Sequence, residues 1–477
     1  MRTAWKILWM GAVGLVGLAA LLLLAAFAIN FHDEPLSAEA LALRQPPPNT
    51  VADADNLYLA MAGADAPEGQ EVIGQGRTVV DDLNARVTEI AANPARMARG
   101  ELVHEQHGPL RFRGKLSICA KIDQTCWRDA PIQAAGTAIL IQANRVLVER
   151  YLALQGLGGY HDVAVADFMA SYPLPHYGKE EHYLLLADVA RRLQSGSLLA
   201  RRQAFDQLLG EIGTWRHVLA GDANLLSTLV ALAYLQRAEL LLANAVADPR
   251  VPVEQLFPDG LLLPALWAGG EAPVARALSA EYRGSVPMWN RMRDPRFSDA
   301  QADALNASGP RWWYRLKGRA GMHFLRPNAS ENLDAALFRR LIQVANAPPH
   351  ELRAAQEEFG SWRKAHVRMD GPASLFNPMG KMLVSITTDA YYNRYMLRSW
   401  DVVAFQRMVL LGYAIRRQRV ANGAVPAFMK SHPEWATHPV DGREFLWDPD
   451  AHTLAVQELG EHRDNSTFTI PVWQSGM

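Results

Sequence analysis

The strongest constraint in this sequence is the uncharged apolar segment from Ile7 to Ile29. At about 1.5 Å per residue, roughly 20 helical residues span the ~30 Å hydrocarbon core of a bilayer, so the segment predicts a transmembrane helix. Arg2 and Lys6 precede the segment, whereas Asp33 and Glu34 follow it. By the positive-inside rule, this asymmetry predicts a cytoplasmic N-terminus and an exported body.

A cleaved signal peptide is the alternative interpretation of the same segment. Ala26-Phe27-Ala28 has the small-x-small form of a signal-peptidase site. However, the apolar run is longer than the h-region of about 7–15 residues in a signal peptide, which favours an uncleaved anchor. Arg greatly outnumbers Lys, and Ala and Leu are abundant, a composition that we interpret as bacterial. We therefore expect a single-pass protein of the bacterial inner membrane, with most of the chain in the periplasm and the bilayer as a partner.

Length and composition indicate a folded body behind the anchor. The chain has 477 residues, of which 49% are hydrophobic and 20% charged, and its formal net charge is -1. These values are typical of globular proteins, and the absence of a basic field disfavours a nucleic-acid partner. The sequence also predicts no cofactor and no metal site.

The periodicity of apolar residues predicts a mostly α fold: an N-terminal transmembrane helix, a multi-helix globular domain and a small C-terminal β-hairpin. Helical spacing runs from Gln133 to Leu154 and from Met382 to Ile415, and Asn422-Gly423 has the form of a helix C-cap. Strand-like residues flank the turn sequence Asp448-Pro449-Asp450, and residues 468–473 are a third strand candidate. We divide the chain into a cytoplasmic tip and anchor (1–30), a Pro-rich linker (31–50), a helical periplasmic domain (51–395), and a C-terminal helix, loop and hairpin packed on that domain (396–477).

The chain has only two cysteines, Cys119 and Cys126. In an exported domain they face an oxidising compartment, so a disulfide is the default expectation. On one continuous helix, two residues seven apart would lie about 10 Å from each other, too far for a disulfide. The pair therefore predicts a turn between them, with a metal pair or a redox pair as the alternatives.

Two histidine clusters are the candidates for chemistry. His104-Glu105-Gln106-His107 has its histidines three residues apart, whereas the zinc protease motif H-E-x-x-H needs four. The second cluster matches no metal or catalytic motif either, but it supplies the candidate acid–base residues His176, Glu180, Glu181 and His182. The alternative for both clusters is polar residues at a helix end, where the dipole favours acidic groups at the N-terminus.

Aromatic and Arg residues alternate in two stretches, which contain Trp312, Trp313, Tyr314, Tyr391, Tyr392 and Tyr395. Such residues line binding grooves and anchor interfaces, so these six are our candidate binding residues. The alternative is that they pack between helices, with the Arg stems lying over the rings.

Three segments resemble a known group of proteins. They are YAIRRQRVANGAVPAFMKSHPEWATHPVDGREFLWDPDAHTLAV (413–456), NPMGKMLVSI (377–386) and DADNLYLAMAG (53–63). The first resembles the C-terminal helix–loop–hairpin module of uncharacterised, membrane-anchored bacterial envelope proteins. The resemblance implies the same architecture and no particular activity.

We expect a non-enzymatic interaction or scaffold protein that presents its helical domain to a periplasmic protein partner, because no complete catalytic motif is present. The alternative is a periplasmic hydrolase of envelope material, since acid–base groups need only meet in space. A deep pocket with His and Asp or Glu side chains would favour the hydrolase. A shallow aromatic groove would favour the interaction protein.

Overall fold

The computed structural model describes residues 2–93, 96, 101, 103, 108–116, 118–119, 121, 124–168, 170, 178–257, 260–261, 263, 271–294, 296, 323–368, 370, 375–387, 391–460 and 467–473. It begins with α1 (Arg2–Ile29). Residues 9–29 of this helix have a mean hydropathy of 2.7, and none of that span is buried inside the protein. The helix is therefore long and apolar enough to cross a membrane.

The first helical block follows a short arm. The arm contains α2 (Ala38–Leu43), and the helices of the block are α3 (Leu57–Ala62), α4 (Val72–Ala91), α5 (Thr125–Asp129), α6 (Ala134–Ala143), α7 (Arg145–Ala153), α8 (Lys179–Ser195), α9 (Leu198–Ala220), α10 (Leu225–Ala247) and α11 (Val253–Leu256). Short polar side chains cap the N-termini of α9 and α10, the two longest helices of the block. Ser197 accepts a hydrogen bond from the Ala200 N–H, and Asn224 accepts one from the Ser227 N–H. Like α1, α10 is apolar enough to cross a membrane, but it is 72% buried and serves as the central core helix.

The second block consists of α12 (Pro273–Met292), α13 (Pro327–Ala345), α14 (Leu352–His366), α15 (Pro378–Thr387) and α16 (Tyr391–Arg417). Its separate core contains the fully buried Tyr282 and Trp289. The boundary predicted at 395/396 falls inside α16. This helix contributes Met396 to the second core and Phe405 to the first, so it joins the two blocks.

The C-terminus forms α17 (Val425–Ser431), α18 (Pro433–Ala436) and an antiparallel sheet of β1 (Leu446–Asp448), β2 (Thr453–Gln457) and β3 (Thr467–Pro471). Trp447 pairs with Leu454, which pairs in turn with Ile470. Leu454 and Ile470 are buried in the first core. The mostly α fold with a small C-terminal β element is confirmed, and the third strand is part of it.

Cys119 and Cys126 form a disulfide, as predicted. Their Cα atoms are 4.3 Å apart, which a continuous helix would not allow. Cys119 has a φ of +61°, and Cys126 lies in the short helix α5. The predicted bend between the two residues is therefore confirmed.

Two predictions of local structure are wrong. The helix predicted over Gln133–Leu154 is interrupted at Asn144, where φ is -116° and ψ is 23°. The Asn144 side chain accepts a hydrogen bond from the Arg113 N–H at 2.6 Å and donates one to its carbonyl at 2.9 Å. The pair Asn422-Gly423 does not end a helix, because α16 ends at Arg417 and the pair lies in a 3₁₀ turn before α17. Pro426 is tolerated in the first turn of α17, where its missing N–H has no helical partner to lose.

The segment predicted as a linker (31–50) is attached to the second block, and we call residues 31–51 the arm. Asp33 caps the N-terminus of α13 by accepting hydrogen bonds from Asn328 N and Ala329 N. Arg44 forms an ion pair with Glu331 at 2.6 Å, and the Glu331 side chain is fully buried. These bonds fix the arm along α12 and α13, so it does not behave as a free spacer.

Candidate functional site

The described part of the histidine cluster at 176–182, residues 178–182, lies at the start of α8. Glu180 is half-buried, while Glu181 and His182 are buried. Burial raises the pKa of Glu181 to about 7. His176, as well as the other histidine cluster at 104–107, lies outside the described residues.

His182 belongs to a buried hydrogen-bonded group that we call the Glu211 cluster: Tyr151, His182, Glu211 and Trp215. One oxygen of Glu211, Oε1, receives the Tyr151 hydroxyl at 2.7 Å and the Trp215 indole N–H at 2.6 Å. The same oxygen lies 2.7 Å from His182 Nδ1. The His182 ring also stacks on Tyr234, with centroids 4.0 Å apart.

The Glu211 cluster is a structural element of the first core. The His182 side chain has 0% exposure and that of Glu211 has 1%. Burial lowers the pKa of His182, and the Glu211 carboxylate opposes this shift. A neutral imidazole then donates its Nδ1 proton to Glu211. A substrate could reach His182 only if the surrounding helices separated.

The candidate aromatic residues fall into two groups. Trp312, Trp313 and Tyr314 lie outside the described residues, as does the side chain of Tyr391. Tyr392 and Tyr395 are half-buried and pack on the second core, where Tyr392 contacts Phe338 with ring centroids 5.9 Å apart. Burial raises the pKa of Tyr392. The structure thus places these two tyrosines in helix packing.

A cleft of about 520 Å³ lies where the arm passes over the junction of the two helical blocks. We call it the arm cleft. Its volume is within the range of small-molecule sites, about 300–1,000 Å³. Its walls come from the arm, the loop 158–161, the C-terminal end of α9 and one face of α12. The ionisable side chains that line it are His161, His217, Asp222, Glu271, Arg276 and Arg283.

The loop that carries His161 is held in place by its backbone. His161 N–H donates to Asn56 Oδ1 at 3.1 Å, and Asn56 Nδ2 donates back to the His161 carbonyl at 3.0 Å. Next to it, Gly221 approaches the Tyr160 carbonyl so closely that a Cβ would lie 2.1 Å from that oxygen. Only glycine fits there, and it places Asp222 beside His161.

The acidic and basic groups of the cleft are partly paired. Arg283 donates two hydrogen bonds to the Asp222 carboxylate, at 2.9 and 3.2 Å. His161 Nδ1 lies 4.0 Å from Asp222, and each of these two side chains is 14% exposed. Burial lowers the pKa of His161, Asp222 opposes the shift, and Arg283 reinforces it. At neutral pH this imidazole is therefore uncharged and can accept a proton.

Arg276 has a different environment from Arg283. It donates hydrogen bonds to two backbone carbonyls, those of Glu271 at 2.6 Å and of Leu219. Burial lowers its pKa, against the attraction of Glu271 and Asp222. A carbonyl oxygen satisfies a donor but carries no net charge. The guanidinium therefore brings a positive charge to the cleft without a hydrogen-bonded carboxylate among the described residues.

Sequence reasoning missed the cleft because its residues come from distant parts of the chain, from 42 to 283. No fixed spacing connects them. The available local signals were the glycines: Gly158-Gly159 before His161, and Gly221 before Asp222.

Comparison with known proteins gives no further guidance, since no family model, no curated protein and no solved structure matches this chain. The resemblance of residues 413–456 to membrane-anchored envelope proteins stays an expectation.

Proposed function

We propose that this chain is a single-pass bacterial inner-membrane protein whose exported helical domain binds a small anionic molecule in the arm cleft. The proposal makes the protein a binder and not an enzyme. The periplasmic protein partner expected from the sequence stays a prediction.

The N-terminal helix supports the membrane location. It is apolar over residues 9–29, and basic residues precede it while acidic residues follow. That charge asymmetry favours a cytoplasmic N-terminus. A reporter enzyme that is active only in the periplasm, fused after Met477, is expected to be active. Activity only with a cytoplasmic reporter would reverse the orientation.

Arg276 is the observation that carries the proposed ligand class. Its charge is not cancelled by a hydrogen-bonded carboxylate, and His217 lies exposed on the same cleft at the end of α9. A half-buried guanidinium such as that of Arg276 is a strong recognition group for carboxylate and phosphate. Asp222 is already bonded to Arg283, so it does not neutralise Arg276 directly.

Binding is tested with the full chain in detergent micelles. Isothermal titration with inorganic phosphate and with small di- and tricarboxylates should reveal at least one ligand. The affinity should fall at least about tenfold in Arg276→Gln, because one charge-assisted hydrogen bond contributes about 1.5–3 kcal/mol. Arg353→Gln, on the exposed face of α14, is the matched control and should bind normally. Equal affinity in Arg276→Gln, or no binding of any anion, would reject the proposal.

A hydrolase is the second candidate, favoured by the uncharged His161 beside Asp222. A pocket that contains histidine and carboxylate side chains was expected to favour the hydrolase, and the arm cleft contains both. However, the hydroxyl of Ser279, which also lines the cleft, donates to the Ala275 carbonyl at 3.3 Å and not to an imidazole. Turnover of p-nitrophenyl esters by the full chain, lost in His161→Gln but kept in Arg353→Gln, would promote the hydrolase over the binder.

A further inference from the structure

The end of the N-terminal helix is bonded to the second helical block. Asn30, the first residue after the apolar span, donates to the Leu375 carbonyl at 2.6 Å and accepts from the Asn377 N–H at 2.7 Å. The Phe27 ring stacks on His323, with centroids 4.6 Å apart. The segment that leads into α15 therefore lies at the point where the chain leaves the span.

One face of α15 packs closely on α13. A Cβ at Gly380 would lie 1.9 Å from Ser330 Oγ, so glycine allows the two helices to approach at this point. One turn further, Val384 has 0% exposure. Gly380 and Val384 thus define the buried side of α15.

The opposite face of α15 is apolar and exposed. Met379 is 36% exposed, Met382 is 37% exposed and Ile386 is 68% exposed. Their spacing of three and four residues puts all three on one side of the helix, away from Gly380 and Val384. A soluble surface would place polar residues at such positions, and these three form a continuous apolar stripe.

We propose that this stripe of α15 lies in the outer interface of the bilayer, with lipid acyl chains as its partner. The inference rests on the proposed membrane anchor. Lipid is the occupant because α15 begins at residues bonded to Asn30, so its exposed face is continuous with the exit of the anchor. Phe31, the residue after Asn30, is a second exposed apolar residue at this exit, with 68% exposure. Met side chains are flexible and adapt to acyl chains, and amphipathic helices bind at this depth through their apolar face.

Such a contact would fix the orientation of the helical body on the membrane. An anchor alone leaves the body free to tilt and rotate about one helix. A second contact through α15 would hold the second block against the bilayer. It would thereby keep the arm cleft at a constant distance from the membrane surface.

The test uses spin labels on the full chain in nanodiscs of phosphatidylethanolamine and phosphatidylglycerol. Single cysteines are introduced as Met382→Cys, Ile386→Cys, Leu22→Cys and Ser361→Cys, with the native disulfide left oxidised. Leu22 lies within the anchor, whereas Ser361 is exposed on α14. Accessibility to oxygen, which concentrates in lipid, is compared with accessibility to a water-soluble nickel chelate.

Labels at 382 and 386 are expected to favour oxygen as the label at 22 does, while the label at 361 favours the nickel chelate. Labels at 382 and 386 that behave like the one at 361 would overturn the inference and leave the anchor intact. Low access to both reagents would indicate a protein cover and would also overturn it. A label at 22 that favours the nickel chelate would reject the anchor itself. Hydrogen exchange of α15 in an unlabelled Met382→Ser/Ile386→Ser variant, faster than in the wild type in nanodiscs but equal in detergent, would support the contact without a label.

Discussion

Two histidine–carboxylate pairs in this protein differ in almost every property that matters for chemistry. His182 and Glu211 are 2.7 Å apart and almost completely buried. His161 and Asp222 are 4.0 Å apart and reach solvent in the arm cleft. The first pair has the better hydrogen bond, yet only the second can meet a ligand.

The difference shows that hydrogen-bond quality and function are separate properties. Glu211 Oε1 has three donors around it, so the carboxylate is satisfied inside the core. Such a group stabilises one packing arrangement of α7, α8 and α9. In the arm cleft, the Asp222 carboxylate is bonded to Arg283 and lies near His161. Asp222 also lines the cleft, where a ligand can bind.

The largest expected effect comes from removing the carboxylate of the buried pair. Glu211→Ala leaves the Tyr151 hydroxyl, the Trp215 indole and His182 without their acceptor in a dry core. We expect the free energy of unfolding to fall by about 3–5 kcal/mol. Asp222→Ala leaves Arg283 at a site that water can reach, and we expect a loss of about 1–2 kcal/mol.

Both variants are compared by urea unfolding of the full chain in micelles, followed by tryptophan fluorescence. Equal losses would mean that burial does not distinguish the two pairs. Glu211→Gln, which keeps an acceptor oxygen, should recover part of the loss.

Glu239 lies on α10, the helix next to the one that carries Glu211. It tests how the burial of a carboxylate makes the free energy of unfolding depend on pH. It is fully buried, and both of its carboxylate oxygens are without a hydrogen-bond partner among the described residues. Burial raises its pKa from an ordinary value of 4.5 to about 8, although Arg216 opposes the shift. The folded state therefore holds a proton that the unfolded state releases between these two values.

Because the folded state binds more protons, the free energy of unfolding decreases as the pH rises from about 4.5 to 8. At about 1.4 kcal/mol per pH unit over this range, the decrease is on the order of 5 kcal/mol. Glu239→Gln cannot ionise, so it should remove most of this decrease and be more stable than the wild type at pH 8. Identical pH profiles of the two proteins would show that Glu239 is charged and solvated in the folded state.

The fold could be predicted from the sequence wherever its signal was local. The apolar span, the turn sequence at 448–450 and the bend between Cys119 and Cys126 each depend on neighbouring residues. The break at Asn144 could not be predicted, because its cause is a tertiary contact with the backbone of Arg113.

The site was less predictable than the fold for the same physical reason. His182 and Glu181 drew attention because they are close in sequence, but the fold buries them. The arm cleft forms where the arm, α9 and α12 meet, and its charged residues lie up to about 120 positions apart. Even the arm, whose Pro46–Pro48 run indicates a spacer, is fixed by the ion pair between Arg44 and Glu331.

Removal of the disulfide should lower the free energy of unfolding by less than removal of the Glu211 carboxylate. It should also leave the anion affinity of the arm cleft unchanged. Replacement of Cys119 and Cys126 by Ser opens a loop whose ends are seven positions apart in the sequence. The chain-entropy relation gives a loss of about 2.5 kcal/mol. The two cysteines belong to the first core, which also contains Tyr151 and Trp215. Because neither cysteine lines the arm cleft, its anion affinity should stay unchanged.

The disulfide prediction is checked by urea unfolding and by anion titration of the Cys119→Ser/Cys126→Ser variant. A reductant should destabilise the wild type to the level of the variant and leave the variant unaffected. A parallel loss of anion affinity would show that the cleft depends on the first core more than its contacts indicate.

The comparison of the two imidazoles contains the smallest expected effect on stability. In His161→Gln the backbone hydrogen bonds with Asn56 remain, so we expect the free energy of unfolding to change by under about 1 kcal/mol. In His182→Gln, the stacking on Tyr234 and the bond to Glu211 are both lost, with an expected cost of about 2–4 kcal/mol.

The accessibility of the two imidazoles to a chemical reagent should follow the opposite order. Diethyl pyrocarbonate should modify the neutral His161 in the folded chain and His182 only after unfolding, as read by peptide mass spectrometry. Rapid modification of His182 in the folded protein would mean that the Glu211 cluster opens, and His182 would again be a catalytic candidate.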